Sequence, residues 1–362
     1  MKFLHLADLH IGKRLEGRYR LDEQREVLKE ITDIAKRENV DLTLIAGDVF
    51  DVTSPTAEAK RIFYRFALDL ASVCPVIAIS GNHDGPAELS SPKDLAEIAD
   101  IRLIGKSERI TLDLGEKVNI SALPYPDDAS LREYEGEYVD KVKSYISDSV
   151  TNFVDGETNI LLAHLFMTGG SEGSDENTLG PARMLPKTVL PEATYVALGH
   201  VHKPMTASKS KRAYYAGSPM AYHFDDEGEK SVIIGNAQKG KLLDLHRVPL
   251  TVGRRLVTVS VTTFDECVKA LSENEGNLVK IKYHSREPLS MSEIKTLKAH
   301  ECFVKLEVIT AEKESDEKIE SVKPRTDTEL FEAYYEKNYA EKPTDEIVSL
   351  FADILSEAKE GK

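Results

Sequence analysis

Cysteine is scarce in this sequence, and the few cysteines are not grouped. They lie far apart and form no CxxC pair, which argues against a disulfide framework and against a zinc site made of thiolates. The cysteines are Cys74, Cys267 and Cys302. Any metal ion in this protein must therefore be held by oxygen and imidazole ligands.

Long apolar runs are absent as well. No window approaches the roughly 18 uninterrupted apolar residues of a membrane span, and Met1 leads straight into a strand-like segment instead of a signal sequence. We therefore expect a cytoplasmic protein without membrane contact. The phosphate-binding pattern GxxxxGK followed by Ser or Thr is also missing, so ATP binding is not expected in this chain.

Basic residues are fewer than acidic residues in this sequence. The chain has 47 Lys and Arg against 62 Asp and Glu, a formal net charge of -15, whereas proteins that bind nucleic acid usually rely on basic patches. Bound divalent cations would offset acidic charge locally, and much of the acid lies away from the motifs described below, for example at 312–320. The global charge therefore does not decide the substrate.

The first 250 residues alternate apolar runs of strand length with amphipathic stretches of helix length, which predicts a layered α/β fold. The chain of 362 residues is long enough for one large core and smaller additional units. Strands are predicted at 2–7, 41–46, 75–80, 159–163 and 194–199, helices at 22–38 and 56–70, and a hairpin at 231–248.

The pattern changes after Pro249. A strand-helix-strand-helix-strand order predicts a small α+β domain, followed by a charged linker and two amphipathic helices. The predicted domains are 1–250 and 251–310, the linker is 311–327, and the C-terminal helices occupy 328–362. These helices could pack on the first domain, but because they follow a flexible linker we expect them to dock in a groove of another chain.

Potential metal ligands follow each of the five predicted strands. Ligands of open α/β sheets collect beyond the carboxyl ends of the strands, so these side chains are expected to meet. Single motifs of this kind are weak, but their joint occurrence is improbable if each residue were merely structural. The candidate ligands are Asp8, His10, Asp48, Asn82, His164, His200 and His202.

Two of the motifs carry paired ligands. Asp8 and His10 are separated by one residue, as are His200 and His202, and alternate side chains of an extended chain point the same way. Asp8 and His10 can therefore chelate one ion, and His200 and His202 can both reach a metal cluster on one side. The carboxylate of Asp48 has two oxygens and can bridge two cations, although a helix cap is the ordinary alternative for such a residue.

The Gly81-Asn82-His83-Asp84 motif is the most specific, because a structural role has no use for an amide, an imidazole and a carboxylate in succession. Asn82 offers a neutral oxygen to a metal, and His83 can donate a proton or a hydrogen bond to a phosphate. Asp84 can orient an imidazole. His164 alone would be an ordinary core histidine, and its place at a strand end makes it a candidate.

The order Asp-x-His, Gly-Asp, Gly-Asn-His-Asp, His and Gly-His-x-His resembles the calcineurin-like metallophosphoesterase superfamily. More narrowly, residues 6–12, 47–51 and 216–219, with the domain and tail that follow, resemble the SbcD family of bacterial nuclease subunits. The motif resemblance covers about residues 1–235. It implies a layered α/β/β/α core with a small capping domain and C-terminal helices.

The resemblance also implies a pair of divalent ions, with Asp48 as the bridge. His83 would stabilise the transition state or protonate the leaving oxygen, and Asp84 would orient it. Archaeal relatives often have a histidine three residues after the bridging Asp, where this chain has Asp51. Manganese is implied by the family alone, because this ligand set also admits Fe, Zn or Mg. One ion would be held by Asp8, His10, Asp48 and His202, and the other by Asp48, Asn82, His164 and His200.

The activity implied by the resemblance is a double-strand 3'-5' exonuclease and a single-strand or hairpin endonuclease in DNA repair, replication and recombination. The implied partner is the ATPase SbcC, bound to residues 328–358, in a heterotetramer with two copies of each subunit and a homodimer of nuclease domains. A phosphodiesterase of small molecules or a protein phosphatase is the alternative enzyme, and a non-catalytic scaffold is the alternative of another class. The basic segment 13–20 either contacts DNA phosphates or is a solvated loop.

Overall fold

Two six-stranded sheets form the centre of the first 250 residues. The computed structural model describes residues 1–168, 183–226, 228–285, 288–309, 326–339 and 341–360. Its strands are β1 Lys2–Leu6, β2 Arg14–Leu15, β3 Arg18–Tyr19, β4 Leu42–Ala46, β5 Val76–Ile79, β6 Ile101–Ile104, β7 Glu108–Asp113, β8 Lys117–Leu123, β9 Thr158–His164, β10 Tyr195–Gly199, β11 Met205–Ser208, β12 Ala213–Tyr215, β13 Ser231–Gln238, β14 Lys241–Pro249, β15 Leu256–Val261, β16 Leu278–Tyr283 and β17 Phe303–Val308. Its helices are α1 Leu21–Glu38, α2 Ala57–Ala71, α3 Pro86–Ser90, α4 Lys93–Glu97, α5 Tyr138–Ser149, α6 Phe264–Glu273, α7 Met291–Ala299, α8 Asp327–Tyr339 and α9 Asp345–Glu360.

The five strands predicted before the candidate ligands are all present. The first sheet has the order β14-β13-β1-β4-β5-β6, in which β1, β4, β5 and β6 are parallel. The second has the order β11-β12-β10-β9-β8-β7, in which β8, β9, β10 and β12 are parallel. Parallel strands end at the same edge of a sheet, so the ligand-bearing ends of β1, β4 and β5 meet in one sheet and those of β9 and β10 in the other.

The two sheets pack face to face between helices, which confirms the predicted α/β/β/α layers. Val27 and Ile31 of α1 and Phe63 and Phe66 of α2 cover the outer face of the first sheet. Val142 of α5 belongs to the core on the outer face of the second sheet. Strands buried on both faces are expected to be apolar throughout. The core between the sheets includes Phe3, Leu44, Ile120, Leu162 and Tyr195.

After Pro249 the elements follow the predicted order of strand, helix, strand, helix and strand. β15, β16 and β17 form a parallel sheet, and α6 and α7 each begin with a capping box at Thr263 and Ser290. Glu30 of α1 fixes the segment that follows β14 to the core. Its carboxylate accepts hydrogen bonds from the backbone N–H of Thr251 at 2.9 Å and from the hydroxyl of Thr251 at 2.7 Å.

Both helices predicted for the tail are present. They pack on each other through Phe331 and Phe351, whose ring centroids are 4.1 Å apart, and α9 contacts α3 of the core. Tyr334, Leu350 and Ile354 remain exposed. The predicted linker 311–327 lies, apart from residues 326 and 327, outside the described residues. Among the helices that the structure describes, none has the length and apolar character needed to cross a membrane.

Candidate metal centre

The structure brings all seven candidate ligands together where the two sheets meet. The loops after β1 and β4 lie side by side, because Asp8 N–H donates to the Gly47 carbonyl at 3.0 Å and His10 N–H donates to the Asp48 carbonyl at 2.9 Å. Residues in the left-handed region are uncommon outside glycine, and strained backbone of this kind gathers at functional sites. Positive φ angles occur at Asp8 (54°), His10 (41°), Asp48 (48°) and His200 (100°).

A first group of ligand atoms surrounds His10. Its Nε2 lies 3.0 Å from Nε2 of His202 and 3.6 Å from Oδ2 of Asp48. Asp8, His10 and His202 each offer one ligand atom within 4.8 Å of the others. The side chain of Asp8 also anchors the neighbouring loop, since its Oδ1 accepts the N–H of His200 at 2.8 Å. Asp8, His10 and His202, together with Asp48, are the set that the family resemblance predicts for one ion.

A second group surrounds Asn82. Its Oδ1 lies 2.9 Å from Nε2 of His164 and 2.9 Å from Nδ1 of His200. Nε2 of His164 is also 3.4 Å from Oδ2 of Asp48. The same oxygen of Asp48 therefore faces both groups, which is the position that a bridging carboxylate must occupy.

The buried carboxylates of the centre favour positive charge on His164 but not on His200. Burial opposes ionisation of Asp48, but His164 and His10 outweigh it and hold the pKa of Asp48 well below its usual value. Burial likewise opposes protonation of His164, but Asp48 and Asp8 raise its pKa to about 9. Burial, with the charge of His164, lowers the pKa of His200 to about 3. A divalent ion would take the place of the proton on His164. Buried carboxylates and neutral imidazoles are the donors that divalent transition metals use, so these residues fit a metal centre.

Close backbone approach at this centre depends on glycines. A Cβ atom on Gly81 would overlap Oδ1 of Asp48, and one on Gly199 would overlap the Ala46 carbonyl. The glycines of the Gly-Asn-His-Asp and Gly-His-x-His motifs therefore let the ligand-bearing loops reach each other.

The Asp84 carboxylate does not bind the His83 imidazole, which was its predicted partner. Both of its carboxylate oxygens accept backbone N–H groups, so they tie the loop after β4 to the loop after β5. The expected partner, the His83 imidazole, instead places Nδ1 3.0 Å from the carbonyl of Asp51. Burial, together with Asp48, raises the pKa of Asp84 to about 6. The donors to Asp84 are the N–H groups of Val49 (3.0 Å), Phe50 (2.8 Å) and Gly81 (2.9 Å).

We expect Asp84→Asn to lower the free energy of unfolding by about 3 kcal/mol, because the amide group turns a donor toward buried N–H groups that then lack an acceptor. Urea unfolding followed by circular dichroism measures the change. Asp94→Asn is the control, since Asp94 is exposed. An unchanged midpoint for Asp84→Asn would show that these hydrogen bonds are not needed for stability.

His83 lies at the rim of the centre and is half-buried. The backbone N–H of His83 donates to Oδ1 of Asp48 at 2.9 Å. Its ring is edge-on to the ring of His10, with 4.8 Å between the centroids. Geometry alone also admits His83 as a ligand with His10 and Asp48. Asp51 contacts His10 Nδ1 at 3.3 Å and Lys13 Nζ at 3.0 Å.

Two supporting groups escaped the sequence analysis. Gln24 of α1 donates to the His10 carbonyl at 2.8 Å and accepts the N–H of Gly12 at 3.0 Å, so it holds the first ligand loop. Its place on the apolar stripe of α1 was the available signal. The ring of Tyr125 stacks on His200, and no pattern in the sequence indicated that contact.

The basic segment 13–20 is only partly available for binding. Lys13 and Arg20 are buried, and Arg20 pairs with Glu23 at 2.7 Å. Arg14 is exposed, with its guanidinium carbon 3.8 Å from the ring centroid of Tyr19. Two of the four basic residues of this segment, Lys13 and Arg20, are therefore packed into the fold and are not part of a solvated loop.

Comparisons with known proteins bear on this site. Residues 1–204 match the model of the calcineurin-like phosphoesterase family. SbcD, the nuclease component of the SbcCD complex of Bacillus subtilis (strain 168), is 33% identical over 387 residues, which cover 99% of both chains. A solved structure of a dimetal phosphatase from Danio rerio covers 69% of this chain and 99% of its own, with 14% identity and a TM-score of 0.41, which is too remote to support an argument.

Proposed function

Because this chain belongs to the SbcD family of calcineurin-like phosphoesterases, we propose that it cuts DNA as the nuclease subunit of a repair complex. The family makes it a metal-dependent phosphodiesterase. The observation that carries the proposal is the convergence of seven donors from five strand ends, with Asp48 facing both groups. A scaffold without activity would not need a complete donor set.

We propose that two divalent ions occupy the centre. When bound, such a pair activates a water for attack on a phosphodiester and offsets charge on the leaving oxygen. Manganese is the proposed metal, on the family resemblance. One ion is assigned to Asp8, His10, Asp48 and His202, and the other to Asp48, Asn82, His164 and His200.

The chain's own residues supply the rest of the chemistry. His83 donates its Nδ1–H to the Asp51 carbonyl, so Nε2 carries a hydrogen only in the protonated imidazolium ring, and in that form it donates a hydrogen bond or a proton to the phosphate or the leaving oxygen. Asp84 holds the loops of Asp48 and His83 in register through backbone N–H groups, and so acts on His83 by fixing its backbone instead of its ring.

The finer properties are proposed on the family resemblance. They are double-strand 3'-5' exonuclease and single-strand or hairpin endonuclease activity, a role in DNA repair, replication and recombination, a cytoplasmic location, a homodimer of nuclease domains and a heterotetramer with the ATPase SbcC. The division into domains at 250, 310 and 327 is part of this proposal.

The exposed apolar residues of the tail support its assignment as the SbcC-binding segment, because exposed apolar patches often mark interaction sites. Deleting residues 328–358 is expected to abolish co-purification of SbcC with the tagged chain, while two ions still bind at saturating Mn²⁺. Tyr334→Ser should weaken capture, with the less exposed control Thr328→Ser unchanged. Full retention of SbcC by the truncated chain would refute the assignment.

One assay separates the proposed nuclease from its rivals. The purified chain with Mn²⁺ is offered a hairpin-ended DNA and, separately, a small chromogenic phosphodiester. We expect nicking of the hairpin that EDTA stops. Turnover of the small ester without DNA cleavage would favour a phosphodiesterase of small molecules, and inactivity on both with SbcC and ATP present would favour a scaffold.

A further inference from the structure

Arg183 is a buried cation outside the proposed ligand set. Only 1% of its surface is exposed, and a buried guanidinium is strongly unfavourable unless carboxylates neutralise it. It forms an ion pair with Asp327, the first residue of α8, and lies 3.6 Å from Asp128. One of the two carboxylates that neutralise Arg183 therefore comes from the tail.

The same guanidinium reaches the wall of the metal centre. Its Cζ lies 6.0 Å from the ring centroid of Tyr125. The Tyr125 ring in turn is stacked on the imidazole of His200, with 6.3 Å between centroids and 23° between planes. A series of contacts therefore joins Asp327 to His200 through Arg183 and Tyr125.

The backbone beside Arg183 provides a second connection. Leu185 N–H donates to the Phe166 carbonyl at 2.7 Å. The Phe166 ring also packs on His200, with 5.3 Å between centroids. Two aromatic rings that contact the His200 imidazole are thus tied to Arg183, one by its side chain and one by its chain segment.

From these contacts we propose that Arg183 is a positioning residue that makes the binding of one metal ion depend on the docking of α8. The inference rests on the proposed function, in which His200 is a ligand. While α8 is docked, Asp327 helps to neutralise Arg183, and Tyr125 is held against the imidazole. When α8 leaves, Arg183 must move toward Asp128 or toward water, and Tyr125 and the imidazole lose their support. A partner that takes up the tail would in this way act on the metal centre.

Asp327→Asn tests the proposal in the full chain, because it removes the charge that α8 brings to Arg183 but keeps the size of the side chain. Asp345→Asn is the matched control, since Asp345 is the exposed first residue of α9. Calorimetric titration with MnCl₂ is expected to show two ions per chain, with the affinity for one of them lowered roughly 10-fold in Asp327→Asn alone, as for other groups that orient a ligand. Asp327→Glu, which keeps the charge, should restore that affinity.

The outcomes distinguish this inference from the proposed function. Failure of the unmodified chain to bind two ions would contradict the proposed function. Two ions bound at unmodified affinity by folded Asp327→Asn would overturn the role of Arg183 and leave the nuclease assignment standing. An equal loss in Asp345→Asn would overturn it too, because the effect would then follow from net charge. Arg183→Met, checked for folding by circular dichroism, is expected to reproduce the loss.

Discussion

Asp48→Asn is expected to lower kcat for hairpin DNA by about 10³-fold or more and to prevent two ions from binding together. Oδ2 of Asp48 lies 3.6 Å from Nε2 of His10 and 3.4 Å from Nε2 of His164, so this carboxylate serves both groups. An amide has no negative charge to share between two cations. Charge stabilisation by a metal pair is worth several kcal/mol, which corresponds to about 10³-fold in rate.

Two measurements test this prediction. One is the number of metal ions per chain after dialysis against MnCl₂, determined by mass spectrometry, and the other is the rate of hairpin nicking. Asp113→Asn is the control, because Asp113 is on strand β7, away from the centre. The hydrogen bond from His83 N–H to Asp48 at 2.9 Å can persist with an Asn oxygen, so the fold is expected to survive. Two ions and full activity in Asp48→Asn would show that this residue does not bridge.

His83→Gln is expected to lower kcat by roughly 10²- to 10⁴-fold, the usual contribution of a general acid, while two ions still bind. Glutamine can donate a hydrogen bond but cannot transfer a proton at neutral pH. The half-buried rim position of His83, beside His10 but outside the seven proposed ligands, is the reason to expect intact metal binding.

The same two measurements, made on His83→Gln, decide whether His83 is a general acid or a metal ligand. His246→Gln is the matched control, because the His246 side chain is 46% exposed on an edge strand. Loss of one ion in His83→Gln would identify His83 as a ligand with His10 and Asp48, as the geometry also permits. Unchanged kcat would remove it from the mechanism altogether.

The elements that carry the ligands could be predicted from local pattern, but several others could not. The strands before Asp8, Asp48 and His164 are short apolar runs followed by a polar side chain, and burial on both faces produces that pattern directly. The edge strand Glu108–Asp113 alternates polar and apolar residues weakly, and its pairing with Lys117–Leu123 decides its conformation. The helix Tyr138–Ser149 was missed for a similar reason, since its burial against the second sheet defines its apolar face.

Strand periodicity and residue chemistry are local properties, so the amino-acid order alone shows which donor atoms this protein possesses and that they follow strand ends. How those atoms are used depends on contacts between distant parts of the folded chain. The fold turned Asp84 toward N–H groups of a loop 35 residues away, gave His83 the carbonyl of Asp51 as its partner, and buried Arg183 against Asp327 of the tail. Hydrogen bonds and ion pairs of this kind join residues remote in sequence, and no local pattern records them.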